Sequence, residues 1–385
     1  MSISLRGRPL ITILLSASIA STIGGLPFSL LPVMLGSLAD SFGLDAKAVG
    51  LIGSICFAGY LAGTLAAPFW MNRVNWRTLT LVSAACTAVA FGLSATVERL
   101  GALCVLWALI GFFASTMTCL GMRILSDLPN AERSFGVRLG VELLISAAVL
   151  FALPPLLIST WKYPGAALGV AAVIALLGVS ALWIPARPLV ASAGPGASRA
   201  ALPAASWFML FVFFLFLVGN IGLWAFLERI GHSLHLAPAE LGIVFAVLKL
   251  LGGVAALCVA LVGARLGQRL QALLVFAGIG AGLFMLSAGK NFVPFALGAW
   301  IWEFCFTCGC VFQTAAIART DNSGRAIMLV PAVFAVSSMV GPGLAGYLLG
   351  DDGFGVLLGL ALASSLVPVI VNSIWNPPIA GYRSA

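Results

Sequence analysis

Charge is what this chain of 385 residues has least of: Asp, Glu, Lys and Arg together make up 8% of it. A soluble domain carries about 25%, because it must present a wetted surface. So small a share, beside 61% hydrophobic residues, excludes a water-soluble fold and leaves a surface that faces lipid. Long polar stretches are also missing, so no soluble domain is inserted. Short alternating strands are missing too, which excludes an outer-membrane barrel. There is no P-loop to drive a primary pump. Nor does an interfacial HxxxD-like or paired-Asp cluster appear of the kind that membrane enzymes acting on lipid-linked substrates carry. Asp351 and Asp352 are the only adjacent acids, in a short loop.

Apolar runs of roughly 20 residues, enough to cross a hydrocarbon core as helix, fill the chain instead. Twelve are expected, near 10–35, 48–71, 78–97, 101–122, 137–158, 164–184, 206–227, 239–263, 270–288, 292–317, 326–349 and 353–375. The basic N-terminal flank "MSISLRGRP" has a signal-peptide character, but no cleavage pattern stands out, so the first run is expected to be a retained helix.

Twelve crossings put both termini on one side. With the termini cytoplasmic, the inner segments hold Arg6, Arg8, Arg73, Arg77, Arg123, Arg133, Arg138, Arg187, Arg199, Arg265, Arg269, Arg319, Arg325 and Arg383, which is 14. The outer ones hold Lys47, Arg99, Lys162, Arg229 and Lys290, which is 5. That bias places the chain in an inner, plasma-type membrane with cytoplasmic ends. The +8 net charge therefore reflects topology and gives no reason to expect nucleic acid as a partner. All eight cysteines fall inside the spans, so no disulfide framework is expected. Cys305, Cys308 and Cys310 lie close in sequence, but Cys310 points away from the other two on a helix, and no metal or cofactor is expected. His232 and His235 sit at the outer end of span seven, where a surface pair is the plain reading.

The chain reads as two halves. Residues 1–184 and 206–385 each hold six spans, and 185–205, rich in Ala, Pro, Gly and Ser, read as a cytoplasmic linker. Span two is followed by "MNRVNWR" and span eight by "GARLGQR"; both are R-x-x-x-R, and Arg73 and Arg77 precede Arg265 and Arg269 by 192 residues. Weak internal symmetry of this kind is expected of transporters built from two related bundles.

At these loops the sequence resembles the major facilitator superfamily, whose motif after span two reads roughly G-x-x-x-D-R-x-G-R-R. "GARLGQR" matches it at the Arg, Gly and Arg positions. "PFWMNRVNWR" departs from it, with Pro68 for the first Gly, Asn72 for the Asp and Asn75 for the second Gly. On span four, Trp107 stands where many proton-coupled members carry an Arg. The antiporter string of span five is absent, and a similar one, "GPGLAG", occurs at Gly341–Gly346 on span eleven. The resemblance implies an all-α membrane fold of two pseudo-symmetric six-helix bundles and a transporter rather than an enzyme. It also implies a gating role for Arg73, Arg77, Arg265 and Arg269.

Ionisable groups within spans mark ion or substrate paths, because each costs at least ~2.5–3.5 kcal/mol to insert. Lys249 and Glu303 are the deep ones, each about ten residues, or ~15 Å, into spans eight and ten. The resemblance places those spans along a central cavity. Two readings stay open: a buried ion pair locking two helices, or a site where Glu303 takes up a proton and Lys249 engages either Glu303 or a substrate anion. Glu142, with Arg138 one turn earlier, is a second proton candidate or else a local pair at the membrane edge. Trp224, Trp300 and Trp302 are candidates to stack on a flat substrate, and Asn220 and Gln313 to hydrogen-bond it or to glue helices. Prolines and glycines of spans one and eleven permit kinks or close packing. The expectation is a monomeric, proton-coupled secondary transporter, working by alternating access and moving a small organic solute, aromatic or anionic. Direction stays open: sparse cavity charge suits efflux, and Lys249 suits carboxylate uptake. An efflux antiporter of the same fold without an anion site, and an integral-membrane enzyme, are the alternatives.

Overall fold

The computed structural model describes residues 8–70, 73–128, 131–187, 202–262, 267–320, 325–349 and 353–374, and these are helical with no strand among them. The first helices are α1 (Arg8–Ser29), α2 (Leu31–Phe42), α3 (Ala46–Trp70), α4 (Trp76–Ser94), α5 (Leu100–Ser126), α6 (Ala131–Leu153) and α7 (Ser159–Gly178). There follow α8 (Ala204–Ser233), α9 (Pro238–Val262), α10 (Gln268–Ala288), α11 (Phe292–Thr320), α12 (Arg325–Met328), α13 (Val330–Leu348) and α14 (Gly355–Ile374). Among the described residues, eleven helical stretches are long and apolar enough to cross a membrane. Large apolar side chains such as Phe69, Leu176, Leu261 and Phe284 lie exposed on their outer faces, which water would disfavour and lipid does not.

Eleven differs from the expected twelve because one stretch, Ser134–Trp183, holds two crossings. It runs through α6, a π-helical turn at Pro154–Ile158 and α7, and only Lys162 leaves helical geometry, at φ 51° and ψ −141°. A Cβ at Gly169 would lie 3.7 Å from Leu153 Cδ1, whereas residues sixteen apart in a straight helix are about 24 Å apart. The chain therefore reverses at Lys162, and Pro164 starts the return with its fixed φ. Span one likewise bends: α1 meets α2 at Leu30, between Pro27 and Pro32, while the Leu30 N–H still reaches Leu26 O at 2.8 Å. Proline removes a donor and crowds the preceding turn, and that is what bends the helix here.

The chain divides into two compact units, residues 1–48 with 55–197, and 49–54 with 198–385. In the first, α1 packs on α5 and α6, and α4 on α5 and α7; in the second, α8 packs on α13 and α14, and α10 on α11 and α14. The second arginine of each repeated loop does the same work. Arg77 Nε donates to Ile184 O at 3.1 Å, just beyond α7, and Arg269 Nε donates to Asn372 O at 3.1 Å in α14. Carbonyls at a helix end have no partner within the helix, and a guanidinium supplies one along with favourable charge. In the first unit Trp107 is fully buried, with its Nε1 3.2 Å from the Tyr163 hydroxyl, which also meets Ser94 Oγ at 2.8 Å. An indole at that position thus ties α5 to the start of α7 and α4.

Candidate functional site

The deep ionisable groups of the second unit are held by three neighbouring helices. Trp224, on α8, is 3% exposed, and the Lys249 ammonium of α9 lies 4.5 Å from its ring centroid. Phe245, one turn before Lys249, meets the same indole edge-on at 5.8 Å. A cation over an indole face is attracted by the ring quadrupole, most strongly where water is excluded. The indole therefore fixes where the lysine's charge sits.

Glu303 reaches the same region from α11. It is half-buried, it interacts electrostatically with Lys249, and its Oε1 accepts from Thr307 Oγ1 at 3.4 Å. Opposite it on α9 is Gly252, where a Cβ would stand 3.2 Å from that oxygen and 3.5 Å from Thr307 Oγ1. Gly252 lies three residues after Lys249, so both present the same helical face. The missing side chain leaves the space the carboxylate occupies. Lys249, Trp224 and Glu303 thus form one group of a cation, a π-face and a carboxylate.

The other candidates of this unit sit elsewhere. Trp302 and Asn220 are fully buried and bonded to each other, Nε1 to Oδ1 at 2.9 Å. Asn220 Nδ2 goes on to Phe216 O at 2.9 Å and Ser365 Oγ at 3.0 Å, and Trp302 stacks on Phe306 at 5.6 Å. These contacts join α8, α11 and α14 and leave neither side chain open to a ligand. Trp300 is half-buried, its Nε1 bonded to Val244 O at 3.0 Å, which ties α11 to α9. Gln313 is 7% exposed, and neither its Nε2 nor its Oε1 has a hydrogen-bond partner; it lines a cavity among α8, α10, α11 and α14. Glu228 escaped the sequence reading because span seven was ended at residue 227. Helix α8 continues to Ser233 and leaves Glu228 7% exposed, one turn beyond Trp224 on the same face. The i,i+4 spacing from Trp224 was the available signal.

In the first unit, Glu142 and Arg138 lie one turn apart on α6, bonded at 2.6 Å, and Arg138 Nε also donates to Ser21 Oγ of α1 at 2.7 Å. A Cβ at Gly25 of α1 would come 2.9 Å from Glu142 Oε1. Tyr60 of α3, joined to Thr118, lies within electrostatic reach of both charges. The pair lies on α6, is tied to α1 through Ser21 and sits within electrostatic reach of Tyr60 on α3. Arg73 is exposed and Arg265 lies outside the described residues. Among the described residues, all eight cysteines are free and no group of three could hold a metal ion. Cys305 faces Gly278 of α10 and Cys308 faces Ala255 of α9.

The Major Facilitator Superfamily model matches residues 17–318. No curated protein matches the sequence. Among solved structures, the nucleoside transporter NupG is similar at 12% identity and a TM-score of 0.73, over 95% of this chain and 98% of that one. The D-xylose–proton symporter is similar at 10% identity and 0.76, over 97% and 99%. A bacterial homologue of the human lysosomal transporter Spinster, inward-facing and unoccupied, is similar at 12% and 0.70, over 96% of each. At these identities the likeness is one of fold. The chain belongs to the major facilitator superfamily: it is an all-α, multi-pass membrane protein and a secondary transporter, not an enzyme.

Proposed function

We propose that this member of the superfamily couples proton movement to transport of a small organic solute through Glu303 and Lys249, by alternating access. The observation that carries the reading is the grouping of Glu303, Lys249 and Trp224 around the space left by Gly252. A carboxylate so placed has two ways to be neutralised, by a proton or by the lysine ammonium. Protonation of Glu303 removes the negative partner of Lys249. The ammonium then engages a carboxylate on the substrate, with the Trp224 face available to a flat, apolar body. Loss of the proton restores the internal pairing and releases the substrate. Intramembrane charge is retained where it does work of this kind, because insertion alone disfavours it. Glu142, bonded to Arg138, is the second proton site in this scheme, and Asn220, Trp302 and Trp300 hold the helices that frame the first. Arg77 and Arg269 anchor the last helix of their own unit, and with Arg73 and Arg265 they flank the loops that gating moves.

The arginine bias favours an inner membrane with cytoplasmic termini, with 185–205 as a cytoplasmic linker and a monomer as the working form. The structural neighbours are named for a nucleoside and for D-xylose with a proton, which are small organic solutes of the size proposed. The test is solute flux in proteoliposomes with and without an imposed pH gradient. Flux indifferent to the gradient removes proton coupling. Glu303→Gln with normal flux and unchanged pH dependence removes Glu303.

A second reading is favoured by one distance, the 4.5 Å from Lys249 Nζ to Trp224. A site that holds the chain's own ammonium between an indole and a carboxylate also suits a protonated amine, as an efflux antiporter would require. Lys249→Ala decides between them: it abolishes transport of a carboxylate and leaves or improves transport of an organic cation.

A further inference from the structure

The internal repeat makes it possible to ask, position by position, what each unit places at one junction. In the first unit, the place where α1, α4, α5 and the end of α7 converge is a closed apolar cluster. Trp76, fully buried, plugs it, with Leu120 and Ile124 of α5 and Ile184 around it and Leu79 packed alongside. Adding 192, the offset of the repeated arginines, leads from Trp76 to Gln268, from Leu79 to Gln271 and from Leu120 to Phe312. By its bond rather than by that offset, Ile184, which accepts from Arg77, corresponds to Asn372, which accepts from Arg269. Gln268, Gln271, Phe312 and Asn372 all line one cavity in the second unit, among α8, α10, α11 and α14. The room in that cavity is about 30 Å³, enough for a group of a few heavy atoms.

The second unit has therefore removed the indole plug and lined the space with carboxamides. Gln313 adds the decisive observation, because its carboxamide is more than nine-tenths buried at this cavity and both of its polar atoms are unpartnered. A buried amide in that condition is disfavoured unless something fills the cavity and bonds it. The lining offers donors and acceptors without a formal charge, between the apolar walls of Phe312 and Val275.

We propose that this cavity is a binding site for a small neutral amide, a group that presents an acceptor and a donor side by side as Gln313 itself does. One amide edge satisfies both Gln313 atoms at once, and its flat face lies on Phe312. A carboxylate ligand offers no donor, and an ammonium offers no acceptor. The site is separate from the Lys249 and Glu303 group, which Glu303 enters on the α9 side of α11.

The test uses the full-length protein in detergent, with formamide and acetamide as probes and formate and acetate as charged controls of the same shape. Ligand-observed NMR reads binding, and the thermal unfolding midpoint reads stabilisation by mass action. The amides are expected to bind saturably and raise the midpoint, and the carboxylates to do neither. Gln268→Trp, which restores the residue of the first unit, and Gln313→Leu should each weaken amide binding by about tenfold or more. Gln313→Leu keeps the side-chain volume, so it remains decisive if the larger indole prevents folding. The proposal is overturned if neither amide binds saturably, which would leave a cavity filled by water. Equal binding of the carboxylates, or wild-type affinity in Gln313→Leu, overturns it as well.

Discussion

The two units solve the same packing problem with opposite chemistry. In the first, the charged pair lies on one helix, Arg138 and Glu142 at 2.6 Å, and the junction of α1, α4, α5 and α7 is closed by Trp76. In the second, the charges are divided between α9 and α11, and the matching junction is an open, carboxamide-lined cavity. What both keep is the frame, down to the arginine that bonds the carbonyls at the end of the last helix. A pair on one helix moves as a unit, so motion between helices does not alter it. A pair split across two helices changes separation whenever they shift, and the Coulomb energy changes with it. The duplicated scaffold thus places the separable pair of charges in the second unit.

The comparison breaks first at the carboxylates. Glu303→Gln is expected to abolish accumulation driven by a pH gradient in proteoliposomes, whereas Glu142→Gln lowers it only partially. Equal losses would show that the one-helix pair is as much a part of coupling as the divided one. Next is the space that the divided pair needs. Gly252→Leu is expected to cost about 1–3 kcal/mol of stability by overpacking against Glu303 and Thr307, read as a lower unfolding midpoint, and to impair flux. If flux survives, the carboxylate has another place to go.

Asn220→Ala comes third. It leaves the fully buried Trp302 indole without its acceptor, a loss of about 1–3 kcal/mol, and the unfolding midpoint should fall while the substrate KM holds. A raised KM with an unchanged midpoint would return Asn220 and Trp302 to the substrate. The smallest effects sharpen what the units share. Arg77→Ala and Arg269→Ala should each lower stability by about 0.5–1.5 kcal/mol, and by similar amounts. A marked inequality would mean that the repeated loop has lost its common role.

Much of this was legible in the sequence, because hydrocarbon imposes long apolar runs and paired loops carry the repeat. The all-α membrane fold and the family need only the long apolar runs and the paired loop motif. Lateral arrangement is another matter. Asn220 and Trp224 lie one turn apart on α8, yet one is sealed in a node with Trp302 while the other faces the Lys249 ammonium. No single-helix pattern separates them, because the difference lies in which neighbour each face meets. Glu228 was missed for a smaller reason, a helix that outlasts its apolar run by one turn. The hairpin at Lys162 was expected as a loop and is instead a single non-helical residue, since Pro164 restarts the helix so soon. The exchange of Trp76 for Gln268 was available by arithmetic, but only packing gives it meaning.

The contact between Lys249 and Trp224 also equips the chain with an optical reporter. Indole emission responds to a positive charge held against the ring, and here an ammonium stands 4.5 Å from the centroid. Any event that draws the lysine away changes the colour and yield of that one tryptophan's light. Subtracting the spectrum of a Lys249→Met protein from that of the wild type isolates its contribution from the other nine tryptophans of the ten. Titrating solute or acid into the unlabelled transporter then follows the site directly, without radiolabel or added dye.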